Sequence, residues 1–408
     1  MTASPGLRKG ELDYRRAVVG LVAAGLATFD AMYCTQAVMP ALGADLHATP
    51  AEAALTVSAA TGLLAVTILP ASVLSERFGR TRVIVGSALA AGVLGLLLPL
   101  APSLTWLVAG RGLQGLLLAG VPATAMAWLA EEVDPRDLAP AMGQYVAGTT
   151  VGGLLGRLIP AGVLEFSSWR WAVGAAMAFA VASATLTALV LPRQRRFVPK
   201  RLTIATETTA VLRHWRNPRL AGLFVLPFLL MGAFVSLYNY LGYRLIHTFG
   251  LGEAAAGSVF LLYLCGTFAS AYAGRLAAHV GRGRVLLGGA GLAALALPLV
   301  AVPALPVLLG ATALFTTGFF AAHAVASGWV GATATRDRGE ASGMYLSCYY
   351  LGSSLLGYAS GHVFHALGWP ALVAWLTGLV AAGVLVAAFV ARTPSPRDPS
   401  GPRFPQPR

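Results

Sequence analysis

Residues 72–82 read SVLSERFGRTR, and residues 274–284 read GRLAAHVGRGR. Both stretches carry a glycine and two arginines in one order: Gly79, Arg80 and Arg82 in the first, Gly281, Arg282 and Arg284 in the second. Each lies between two long apolar blocks, so each is a short basic loop whose glycine permits a tight turn. Further matches run on at an offset of 200: Gly143 and Tyr145 with Gly343 and Tyr345, Gly152 with Gly352, Trp169 with Trp369. Order and common offset together point to a duplicated unit.

Each copy holds six apolar blocks. The expected spans are 17–39, 54–74, 83–101, 104–128, 140–164 and 169–191, then 219–243, 254–278, 284–302, 305–330, 341–366 and 369–391. At 1.5 Å per residue such blocks cross a hydrocarbon core of about 30 Å. Composition agrees. Of 408 residues 57% are hydrophobic and 11% charged, against about 25% charged in soluble domains, and mean hydropathy is +0.70. The expected fold is an all-α membrane protein, twelve transmembrane helices in two pseudo-symmetric six-helix bundles at residues 17–191 and 219–391. Residues 1–16 form an N-terminal segment, 192–218 a polar linker, and 392–408 a proline-rich tail expected to be disordered. The first block is too long for a cleaved signal and is expected to stay as a span.

Orientation follows from the basic residues. With both termini inside, 25 of the 29 Lys and Arg residues fall on the cytoplasmic side, leaving Arg111, Arg157, Arg170 and Arg244. That distribution satisfies the positive-inside rule and places a multi-pass protein in a bacterial-type inner membrane. The net charge of +13 is spread over these loops rather than gathered in a basic domain, which argues against nucleic acid. The only lysines are Lys9 and Lys200, and neither lies in a GxxxxGK[ST] loop, so ATP is not hydrolysed that way. Cys34, Cys265 and Cys348 stand in three separate blocks with neither zinc nor disulfide spacing. Neither metal nor cofactor is expected. No HExxH, paired-aspartate run or Ser-His-Asp arrangement supports an integral-membrane enzyme.

Inside the spans, polar residues are few. Asp30 is the only acid deep in a block, in LATFDAMYCTQ, where Asp30, Tyr33 and Gln36 share one helical arc. Burial favours the neutral carboxyl and a nearby guanidinium the charged one, a balance suited to loading and releasing a proton. Arg111 and Gln114 are three apart and share a face. A charge within a span costs about 2.5–3.5 kcal/mol, so it faces a cavity or a partner. Gly148, Gly152, Gly153 and Gly156 precede Arg157; glycines four apart allow close helix approach. Arg157 adds a second cation to the same half, suited to an anionic substrate or to pairing with Asp30 or a carbonyl. Tyr238, Asn239 and His323 are the polar candidates of the second half, and Phe320, His323 and Ser327 share a face. An intramembrane histidine titrates near neutrality and suits a proton relay, a substrate contact or a plain packing bond.

The loops at 72–82 and 274–284 resemble the GxLaDrxGrrr signature of the major facilitator superfamily, with Ser72 at the first glycine, Glu76 at the acid, and Ala278 at the acid of the second copy. The resemblance implies a gate formed by Glu76, Arg77, Gly79, Arg80 and Arg82 with Gly274, Gly281, Arg282 and Arg284. In that gate Glu76 would cap the positive end of a helix in the other half. Arg111-x-x-Gln114-Gly115 resembles the RxxQG motif of proton-coupled members, which implies a proton site at Asp30 and Arg111. Gly148 to Gly156 resembles the exporters' gxxxGPxxGG, with Gly153 at the proline and Arg157 at a glycine. Residues 157–171, RLIPAGVLEFSSWRW, and 319–323, FFAAH, look like the YnfM-like bacterial branch. The implied protein is a monomeric transporter in a lipid bilayer. It would exchange protons for a small organic compound through a cavity lined by Tyr33, Gln36, Gln114, Arg157, Tyr238, Asn239 and His323. The alternatives are proton-coupled or facilitated uptake of an organic anion.

Overall fold

The structure, a computed structural model, describes residues 6–197, 209 and 212–393. Eleven helices among these are long and apolar enough to cross a membrane. They are α1 Leu12–Tyr33, α2 Pro50–Phe78, α3 Arg80–Leu100, α4 Leu104–Glu132, α5 Leu138–Leu164, α6 Trp169–Val190, α7 Pro218–Phe249, α8 Glu253–Val280, α9 Arg282–Ala301 and α10 Leu305–Thr333, followed by Arg338–Arg392. The last runs 55 residues. Straight, it would measure about 82 Å, far beyond a bilayer. It breaks at Gly368, whose φ of 78° and ψ of −173° are not helical, giving α11 (338–367) and α12 (369–392). The count is therefore the expected twelve. The expected linker from 198 to 208 and the expected disordered tail from 394 lie outside the described residues.

The two loop glycines show the duplication at the backbone. Gly79 has φ 90° and ψ 139°, and Gly281 has φ 94° and ψ 144°. Both end one helix and start the next in the region that only glycine enters freely. Packing repeats too. Gly148, Gly152 and Gly156 on α5 lie against Val22, Leu26 and Asp30 on α1, four residues apart on both helices; a methyl at Gly152 would stand 2.7 Å from the Leu26 Cα. In the second half Gly352 on α11 sits against the Phe228 carbonyl of α7, where a methyl would overlap it.

Between the halves, α2 runs along α11: Ser354 Oγ donates to the Ser58 carbonyl at 2.7 Å and Ser347 Oγ to the Ala65 carbonyl at 2.9 Å. The remaining hydrogen bonds between the halves gather toward the face away from the termini. Tyr243 donates to the Met39 carbonyl at 3.1 Å, the Ala254 N–H to Glu165 at 2.9 Å, and Gln36 to Asn239 at 2.7 Å. Near the terminal face no hydrogen bond or ion pair among the described residues joins α4 or α5 to α8 or α10.

One boundary departs from expectation. The first span was expected to run from 17 to 39, but α1 stops at Tyr33, residues 34–38 turn, and a short helix, Met39–Asp45, follows. Pro40 accounts for part of this: it cannot donate to a continuing α1, and it sits instead in the first turn of the short helix, where no donor is required.

Candidate functional site

Ending α1 inside the bundle orphans its last carbonyls, which have no water to turn to. Arg111 on α4 meets them. Its Nη1 donates to the Ala31 carbonyl at 2.7 Å, its Nη2 to the Met32 carbonyl, and its Nε to the Thr56 carbonyl at 2.8 Å. Gln114, one turn along, accepts from Arg111 Nη1 and donates to the Ala91 carbonyl at 3.0 Å. Both side chains are fully buried. Arg111 thus caps the negative end of the α1 dipole.

That capping changes the picture at Asp30. The sequence suggested a pairing of Asp30 with Arg111 or Arg157. In the structure Asp30 is fully buried and neither carboxyl oxygen has a hydrogen-bond partner among the described residues. Arg111 is held by carbonyls, and Arg157 points to other partners. Gly156 presses on the Asp30 backbone, which fixes the residue against α5.

Arg157 is buried, with 2% of its surface exposed. Its Nε donates to Gln36 Oε1 at 2.6 Å and its Nη1 to the Gly153 carbonyl. Gly153 therefore serves the arginine, while Gly148, Gly152 and Gly156 serve the α1 contact. The guanidinium carbon lies 3.9 Å from the centre of the Tyr33 ring, 4.6 Å from Tyr263 and 5.3 Å from Phe260. Gln36 then turns its Nε2 to Asn239 Oδ1 across the interface between the halves.

The second half contributes rings. Tyr238 bonds Thr316 at 2.8 Å and stacks with Phe260 at 5.5 Å. Phe234 stacks on Phe319 at 4.1 Å, and Phe319 on His323 at 5.9 Å. His323 Nδ1 meets the Tyr345 hydroxyl at 2.9 Å, with Tyr349 at 4.9 Å on another side. Phe260, Tyr263 and Tyr349 were not singled out from sequence, and Tyr345 only as the repeat match of Tyr145. They lie on two spans, α8 and α11, and an aromatic in an apolar block carries no signal of its own.

At the basic loop, Arg80 is buried and bonds Glu76 and, through Nε at 2.8 Å, Glu131. Glu131 also accepts from Gln194 at 3.3 Å, and Glu132 accepts the Arg196 N–H at 2.8 Å. In this state Glu76 closes a cluster within its own half through one oxygen, and among the described residues it meets no helix of the other half. Arg77 lies over Phe78 at 5.4 Å, and Arg82 has no ion pair among the described residues. In the second copy Gly274 borders open space, Arg282 has no ion pair among the described residues, and Arg284 reaches only the Val280 carbonyl at 3.3 Å.

The repeated loops and the paired bundles have a counterpart among known proteins. The family model described as Major Facilitator Superfamily matches residues 21–269 and 244–408. The chain belongs to the major facilitator superfamily. Among relatives, it is 38% identical to the inner membrane transport protein YnfM of Escherichia coli over 387 residues, 95% of this chain and 93% of that one. It is 34% identical to the uncharacterized MFS-type transporter YybF of Bacillus subtilis, over 97% of this chain and 99% of that one. Solved structures share the fold. A nucleoside transporter, NupG, superposes with TM-score 0.76 at 13% identity, over 92% of this chain and 99% of that one. A bacterial homologue of the human lysosomal transporter Spinster, in an inward-facing and occupied conformation, gives 0.72 at 16%, over 94% and 96%. The superfamily makes this chain a multi-pass secondary transporter and not an enzyme, as the motifs implied.

Proposed function

We propose that the protein works by alternating access as a proton-coupled exporter of a small organic compound, with Asp30 carrying the proton. The observation that supports this is the bare carboxyl of Asp30: it is fully buried and both oxygens lack a donor. An unpaired buried charge costs several kcal/mol, which a bound proton removes. Arg111, committed to the α1 carbonyls, keeps the adjoining helix end in place while Asp30 gains and loses its proton. Placing the termini in the cytoplasm, as the basic loops favour, makes the bonded face the outer one and this state inward-facing. The resemblance of the α5 glycines to the exporters' motif favours export. Uptake of an organic anion is the second reading, favoured by Arg157, which has no carboxylate partner among the described residues.

The test uses purified protein in vesicles loaded with a pH-sensitive dye and challenged with organic anions, sugars and lipophilic cations. A compound that drives proton movement through the wild type should drive none through Asp30→Asn, while that variant still exchanges the compound. Gradient-driven transport by Asp30→Asn at the wild-type rate would overturn proton carriage by Asp30. The direction of dye response under an imposed gradient separates export from uptake.

A further inference from the structure

Arg157 is a buried cation with neutral neighbours. Its hydrogen-bond acceptors are an amide oxygen and a backbone carbonyl, and its surroundings are the rings of Tyr33, Tyr263 and Phe260. Cation–π contact stabilises a guanidinium by about 0.5–2 kcal/mol, well short of what a desolvated charge requires. A planar guanidinium is best matched by a carboxylate, whose bond to it is roughly twice as strong as one from a neutral amide.

What holds the place of that carboxylate is Gln36 Oε1, at 2.6 Å. The same side chain makes the single side-chain to side-chain hydrogen bond between the two bundles among the described residues, from its Nε2 to Asn239 Oδ1. Asn239 Nδ2 has no partner among the described residues, so the Gln36–Asn239 contact rests on that one bond. An incoming anion therefore competes for Arg157 with one of the residues that join the halves.

The rings say what the anion is attached to. From Arg157 they run in contact through Tyr263 to Phe320 at 6.0 Å, through Phe319 at 5.2 Å to His323, and on to Tyr349. His323 and Tyr349 are only half-buried. The row therefore leads from the more open part of the bundle to the guanidinium. Aromatic pairs add about 0.5–1.5 kcal/mol beyond area burial, which favours a ligand bearing a ring.

We infer that the substrate is an aromatic carboxylic acid whose carboxylate binds Arg157, and that its binding detaches Gln36 and thereby weakens the Gln36–Asn239 link between the bundles. This names the substrate class of the transport site proposed above. It is independent of whether Asp30 carries the proton.

Binding is measured in lipid nanodiscs at one pH with no gradient, using benzoate, benzamide and cyclohexanecarboxylate as probes. Benzoate should bind about 10- to 100-fold tighter than benzamide, the loss of one charge-assisted bidentate contact. It should bind about 3- to 10-fold tighter than cyclohexanecarboxylate, the loss of ring contact. Gln36→Glu places a resident carboxylate against Arg157 and should abolish benzoate binding while the protein still melts cooperatively. Gln36→Ala removes the competitor and should bind benzoate more tightly than the wild type. Spin labels on the outer ends of α1 and α7 should move apart when benzoate is added to the wild type, and should already be apart in Gln36→Ala, which has no side chain to reach Asn239. Equal binding of benzoate and benzamide, no binding of benzoate to the wild type, or full binding by Gln36→Glu would each overturn the inference. An Asp30→Asn protein that still couples protons would defeat the earlier reading and leave this one standing.

Discussion

The two halves share a backbone and divide the chemistry. Gly152 on α5 and Gly352 on α11 both press into a neighbouring helix, and Gly79 and Gly281 turn alike. Side chains at matching places do not correspond. Two hundred residues on from Arg111 stands Ala311, and on from Arg157 stands Gly357. All three deeply buried charges among the spans' centres, Asp30, Arg111 and Arg157, belong to the first half. The second half supplies Tyr238, Phe260, Tyr263, Phe319 and His323 instead. Duplication preserved what packing demands, namely glycine where helices touch. It released what packing does not demand, so one bundle became the charged wall and the other the aromatic wall.

The largest way to break this contrast is Arg111→Leu. It strands the carbonyls of Ala31, Met32 and Thr56 and the amide of Gln114 together, and should cost about 3–5 kcal/mol. Ala311→Leu at the matching place should cost about 1–3 kcal/mol by overpacking alone. Thermal midpoints in detergent check both. If the two variants fall together, Arg111 is not a cap.

Gly152→Val and Gly352→Val sharpen the other side of the comparison. Both place a side chain where a helix backbone already lies, and each should lose about 1–3 kcal/mol or more, by similar amounts. A large loss at one and none at the other would mean that the halves do not share their packing.

The basic loops should differ by less. Glu76→Gln removes one of two carboxylate partners from buried Arg80 and should cost about 1.5 kcal/mol, because Glu131 remains. Ala278→Glu restores the acid to the second copy at an exposed position and should change stability by less than about 0.5 kcal/mol. An effect at Ala278 as large as that at Glu76 would show a second cluster that the structure lacks.

The architecture was legible in the sequence because block length, basic loops and a 200-residue offset are all local or periodic signals. The α5 glycine spacing was equally plain, although its partners Val22, Leu26 and Asp30 were not. The site was less legible. The target of Arg111 is a set of carbonyls at a helix end, and carbonyls are anonymous in a sequence. The end itself was hidden, since residues 17–39 read as one apolar block and only Pro40 hints at a break. Gln36 meets Arg157 across 121 residues and Asn239 across 203, so no spacing rule finds them. The pairing of Glu76 with Arg80, four residues on, was open to the helical spacing rule and was not drawn from it.

The smallest effect belongs to the face away from the termini. Asp45 accepts from Trp169 Nε1 at 2.7 Å and Arg170 at 2.6 Å, and these donors hold its carboxyl below the usual range. A depressed carboxyl adds stability above its ordinary pKa and loses it as pH falls through the folded value, so this contribution should fade below about pH 4. The pair is exposed and screened, so Asp45→Asn should cost less than about 0.5 kcal/mol at pH 7 and nothing in strong acid. Melting curves across pH and salt read this out.

The proposed proton step turns on whether Asp30 rests with a proton. Difference infrared spectroscopy of the protein in lipid bilayers reads that proton without knowledge of the substrate. A neutral buried carboxylic acid has a C=O stretch set apart from both the amide bands and the carboxylate bands. The account predicts such a band in the wild type at neutral pH, its shift on exchange into heavy water, and its absence in Asp30→Asn. A wild-type spectrum with no band that depends on Asp30, and with the matching carboxylate signal instead, would show a charged Asp30 at rest and contradict proton carriage at this site.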